Sequence, residues 1–187
     1  MVGVIERRSA IELRAAGNSK TPQLAGYAAV FDAPSQDLGG FVEIVKPGAF
    51  DRTLRSNTAD PLALVAHMPD RVLGRRSAGT LRLKEDAKGL AFEIDLPNTT
   101  AARDLLVSVE RGDVKGASFA FVVPAGGDKW EVRGETVFRE LHEVALHEIS
   151  ITASPAYQDT TVARRSFEIK FAPTPRLRSL RRFLETV

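Results

Sequence analysis

From Gly112 to Val123 the chain reads Gly112-Asp113-Val114-Lys115-Gly116-Ala117-Ser118-Phe119-Ala120-Phe121-Val122-Val123, and this stretch constrains the fold more than any other. Side chains alternate across a strand, so Val114, Gly116, Ser118 and Ala120 share one face while Phe119, Phe121 and Val123 occupy the other. The aromatic face requires a core to receive it. The opposite face, lined by Gly, Ser and Ala, is expected to stay open, with room for an extended peptide to lie against the hydroxyl of Ser118. Such a serine suits a nucleophile if a base is near, and equally suits a small strand residue with no chemistry.

The surrounding chain repeats the same theme of short apolar runs punctuated by Gly, Pro, Asn and Asp. Strands are predicted at 24–31, 40–45, 61–66, 80–84, 89–96, 114–123, 129–138 and 143–153. Residues 80–84 and 89–96 alternate well, and Asp86-Ala87-Lys88-Gly89 supplies the turn of a hairpin. Two helices interrupt the strands. One follows Pro47, at about 48–55, with Phe50 and Leu54 one turn apart. The other runs over about 100–111, where Asn98 or Thr99 caps the start, Leu105, Leu106 and Val109 form the apolar stripe, and Gly112 ends it. Many short strands with a few helices place the chain in the mixed, mainly β class, as a β-barrel or sandwich with helices packed outside.

At 187 residues and 43% hydrophobic content the chain is long enough for one domain with a substantial core. We expect that domain at 1–160, followed by a basic tail at 161–187. In the tail Pro173 and Pro175 precede Leu177, Leu180 and Leu184 at helical spacing among arginines, which predicts a short amphipathic helix. The absence of cysteine removes disulfides, thiolate nucleophiles and Cys-based metal sites. The start of the chain lacks the apolar core of a signal peptide and no run is long enough to span a bilayer, so a cytosolic, membrane-free protein is expected. A net charge of +2 does not point to a nucleic-acid binder.

Of the polar residues that could act with Ser118, the first sits at a strand end. His67 closes the run Pro61-Leu62-Ala63-Leu64-Val65-Ala66-His67, and Pro69 just beyond it cannot continue a central strand. With Ser118 it makes half of a nucleophile and base pair. A third member would come from His147-Glu148, whose side chains point to opposite faces of a regular strand, so only one of them can orient His67. Other chemistries fail on spacing. His142 and His147 are five apart, not the four that aligns zinc ligands on a helix. Gly116-Ala117-Ser118-Phe119-Ala120 lacks the strand-to-helix turn of a nucleophile elbow.

Taken in order, several segments resemble the prohead maturation proteases of tailed phages, a family related to the herpesvirus assemblins. They are Gly26-Tyr27-Ala28-Ala29-Val30-Phe31, the run from Phe41 to Phe50, His67 with Pro69-Asp70 and Leu73-Gly74-Arg75, Gly116-Ala117-Ser118-Phe119-Ala120-Phe121, and Glu148-Ile149-Ser150-Ile151-Thr152 with Ser154-Pro155-Ala156. Together they span about residues 24 to 160.

The resemblance implies an assemblin-like closed β-barrel ringed by a few helices, and a serine endopeptidase without cofactor or metal. It would act as a homo-oligomer inside the prohead in the host cytoplasm, cutting scaffold, major capsid protein and itself. By position His67 is the base, Ser118 the nucleophile and Glu148 the third member. The assemblins use a second histidine in that role, which keeps His147 as the alternative. The sequence departs from the family at Met68, where an acidic residue often follows the histidine. A different function on the same fold, a proteolytically silent module that binds scaffold, is the competing expectation.

Overall fold

The computed structural model describes residues 4–10, 12–18 and 20–153. Its strands form three sheets. The five-stranded sheet has the order β1 (Glu6–Ala10), β9 (Gly116–Val122), β12 (Ala145–Thr152), β5 (Leu62–Val65), β6 (Met68–Arg75). A four-stranded sheet runs β2 (Leu13–Asn18), β3 (Thr21–Val30), β8 (Gly89–Asp95), β7 (Leu81–Glu85), and a three-stranded one β10 (Asp128–Arg133), β11 (Thr136–Leu141), β4 (Val42–Val45). The protein is mainly β, as expected. Among the described residues no sheet closes into a barrel, because closure needs a hydrogen-bonded ladder between the first and last strands. In the five-stranded sheet β1 and β6 stay at opposite edges, and β3 packs against β1 and β9 instead of pairing with them.

The core lies where the aromatic face of β9 meets the other sheets. Phe119 stacks on Phe121 at 5.0 Å and meets Phe50 edge-on at 5.5 Å, with Phe31, Leu24, Phe92, Ile94, Ile149 and Ile151 buried around them. Each fully buried side chain of this size contributes roughly 1.5–3 kcal/mol. Helix α1 (Asp51–Arg55) begins three residues later than expected, after a turn in which the Glu85 carboxylate accepts the N–H groups of Gly48 (2.8 Å) and Phe50 (2.7 Å). The guanidinium of Arg76 donates to the carbonyls of Leu54, Ser56 and Ala59 and so satisfies the end of the same helix. Helix α2 (Thr100–Glu110) has the expected limits: Thr99 Oγ1 accepts the Ala102 N–H at 3.3 Å, and Gly112 at φ 78° ends it.

The hairpin of β7 and β8 turns through Asp86, whose carboxylate accepts the N–H groups of Lys88 and Gly89. The run 129–138, expected as one strand, is broken into β10 and β11 by a two-residue turn at Gly134-Glu135, where Gly134 sits at φ 63°. Three strands escaped the sequence pattern. β1 carries charged residues inward, β2 is a sheet edge, and β6 contains Pro69, which an edge strand tolerates. The basic tail expected from residue 161, with its amphipathic helix, lies outside the described residues.

Candidate active site

Strand β9 is flanked by β1 and β12, and the register aligns Ser9, Ser118 and Ser150 in one row and Arg7, Ala120 and Glu148 in the next. Directly paired residues share a face. Arg7, Ser9, Ser118, Ser150 and Glu148 therefore lie on the side opposite Phe119, Phe121, Ile149 and Ile151. The face is not open as expected: Ser118 is 0% exposed, and its hydroxyl donates to the Arg8 carbonyl at 2.7 Å. The cause is β1, a neighbour that the sequence pattern did not announce.

His67 arrives from the turn between β5 and β6. Val65 pairs with Met68, so Ala66 and His67 form a two-residue loop, and both take left-handed backbone, at φ 48° and 59°. For residues with a Cβ this costs roughly 1–2 kcal/mol each. The turn is held from β12. Ile151 O accepts the Ala66 N–H at 2.9 Å, and Ser150 Oγ accepts the His67 N–H at 2.6 Å. The ring Nδ1 bonds the Glu148 carboxylate, while Nε2 is buried and has no partner among the described residues. The structure thus joins His67 to Glu148 and leaves the Ser118 hydroxyl on Arg8.

A β-bulge decides which neighbour reaches the histidine. Leu146 pairs with Phe121 and Glu148 with Ala120, although they are two residues apart, so His147 is the extra residue between them. Regular alternation would put Leu146 and Glu148 on one face. The bulge instead sends Leu146 into the core and Glu148 to the Ser118 side, leaving His147 exposed. His142 bonds Glu140 at 3.1 Å and takes no part.

Three buried polar atoms lack a partner among the described residues: Arg7 Nε, Ser9 Oγ and His67 Nε2. Arg7 and Ser9 lie on the Ser118 face, and His67 bonds Glu148 there. Folded interiors pair nearly all such groups, so these three are exceptions gathered around the Ser118 face. The described residues hold no group of three or more His, Asp or Glu side chains placed to bind a metal ion.

Behind β1 lies a buried charge cluster with no local signal in the sequence. Arg8 binds Glu43 through Nε (2.7 Å) and Nη2 (2.9 Å) and Glu6 through Nη2 (2.8 Å). Arg139 binds Glu6 at 2.7 and 2.9 Å, Glu43 at 3.1 Å and Asp128 at 2.8 Å. Burial alone would ease the Arg139 proton off, but Glu6, Glu43 and Asp128 outweigh it and raise its pKa. The cluster ties β1 to β4, β10 and β11, and so fixes the strand whose carbonyl holds Ser118.

Comparison with known protein families matches residues 9–173 to the caudovirus prohead serine proteases. The chain belongs to this family. No curated protein and no solved structure matches it. The protein is accordingly a serine protease of phage capsid maturation, with capsid proteins as substrates in general and the procapsid as its location in the host. The matched span of the protease takes in His67, Ser118, Glu148 and Ser150, whereas Arg7 and Arg8 precede it. No helix among the described residues is long and apolar enough to cross a membrane.

Proposed function

We propose that the protease cuts the major capsid protein, its scaffold and itself through a triad of Ser118 as nucleophile, His67 as base and Glu148 as orienting carboxylate. The observation that carries this reading is His67, whose Nδ1 is held by Glu148 on the Ser118 side of the sheet while Nε2 is buried with no partner among the described residues. Catalysis begins when the Ser118 hydroxyl rotates from the Arg8 carbonyl toward Nε2. That exchange gives up one hydrogen bond, about 1 kcal/mol. As Oγ bonds the scissile carbonyl carbon its proton passes to Nε2, and the C–N bond breaks as Nε2 returns the proton to the leaving amine. Water then repeats the sequence on the acyl-enzyme and frees Ser118. Glu148 keeps the Nδ1 proton in place and offsets the charge of the imidazolium. The likeness to the assemblins would further make the enzyme a homo-oligomer, on which the chemistry at Ser118 does not depend.

The test is co-expression with the capsid protein, with and without Ser118→Ala, followed by mass spectrometry of new chain termini. The substitution removes one oxygen from a row of small residues, so the variant should fold at a cost of about 1 kcal/mol and lose cleavage by a thousandfold or more. Processing at the parental rate by a folded variant would remove Ser118 from the role.

A further inference from the structure

The turn that presents His67 is one that its own residues disfavour. Two-residue hairpin loops with both residues at positive φ are suited by Asn-Gly, and here Ala66-His67 fill them. Ser150 is 0% exposed and its hydroxyl is bonded twice: it accepts the His67 N–H at 2.6 Å and donates to the Leu64 carbonyl at 3.3 Å. It therefore grips the loop at its last residue and the strand two residues before the loop. On β12 it lies two residues from Glu148 and on the same face, so one strand supplies both the partner of the imidazole ring and the partner of its backbone.

We infer that Ser150 is a positioning residue that holds the strained β5–β6 turn so that the His67 ring meets Glu148 and presents Nε2 to Ser118. The inference rests on the proposed role of His67 as base. Ser150 serves here as a structural hydroxyl, donating to the Leu64 carbonyl and accepting the His67 N–H, while the nucleophile's role stays with Ser118.

The experiment compares the full chain with Ser150→Ala and with Ser150→Ala combined with Ala66→Asn, which favours the same left-handed turn without the hydroxyl. Each is read by kcat and KM on a peptide spanning a capsid cleavage site, and by the low-field proton resonance of His67 Nδ1–H on Glu148. Misplacing the base should lower kcat by roughly tenfold to a hundredfold at nearly unchanged KM and weaken the resonance, and the double variant should recover much of both. A stability defect alone, measured far below the unfolding temperature, moves neither. Ser150→Cys, which keeps the size of the side chain but accepts the His67 N–H only weakly, gives the same readings should Ser150→Ala not fold. Parental kcat and resonance in Ser150→Ala or Ser150→Cys, or a double variant that recovers nothing, would overturn the inference. Labelling by a fluorophosphonate separates the two levels. A parent chain that shows the resonance but neither labels at Ser118 nor cleaves refutes the triad, while loss of the resonance in Ser150→Ala still upholds the positioning. Labelling at Ser150 overturns both.

Discussion

Replacing Glu148 by Gln keeps size and shape and removes the charge that faces His67. Both side chains are poorly hydrated, 15% exposed for Glu148 and 19% for His67, so the lost attraction is not made good by water. For unit charges about 4 Å apart at an effective dielectric near 20, the attraction is about 4 kcal/mol. At about 1.4 kcal/mol per tenfold, an imidazolium that forms only on the way to the acyl-enzyme loses roughly a thousandfold in kcat. The amide can also turn its NH2 toward Nδ1 and hold the ring proton on Nε2, where a lone pair is required, which pushes the loss toward ten-thousandfold. His147→Gln, at the exposed bulge, should stay within about twofold of the parent. Steady-state cleavage of a fluorogenic peptide, with folding matched by circular dichroism, reads both variants. A Glu148→Gln enzyme that keeps more than about a tenth of the parental kcat, or a larger loss in His147→Gln, refutes the argument and favours a His–Ser–His arrangement.

Two further outcomes concern the frame around the site. Arg139→Met should destabilise the fold by about 3–5 kcal/mol in urea titrations, because Glu6 and Glu43 stay buried and keep, among the described residues, Arg8 alone to pair with; a loss under about 1 kcal/mol would show that the cluster contributes little. Asp95 is held down to about 2 by the Arg82 guanidinium, with help from Gln23, so it stabilises the fold above its ordinary value of 3.8 and that contribution fades as the pH falls toward 2. Asp95→Asn should narrow the stability gap to the parent over that window, and a gap unchanged from about pH 6 to pH 2 would exclude Asp95 as its source.

What the sequence determined on its own is local. The faces of β9, the limits of α2 from Thr99 to Gly112, and the Asp86 turn all follow from periodicity and capping within a dozen residues, and the order of motifs carried the family likeness. Tertiary structure decided everything that depends on partners distant in the chain. β1 reads as a charged leader because side chains such as Glu6 and Arg8 are ordinarily hydrated; they become core residues only when Glu43 and Arg139, 35 and more positions away, complete their hydrogen bonds. That strand is also why Ser118 is covered when its small neighbours suggested an open face. Alternation let only one of Glu148 and His147 face His67 and family position favoured Glu148, but it is one extra residue in β12, the bulge between Leu146 and Glu148, that puts the Glu148 carboxylate on the ring Nδ1. A bulge has no signature in a period of two, because it is the point at which the period breaks to satisfy a core and a site on opposite faces of the same strand.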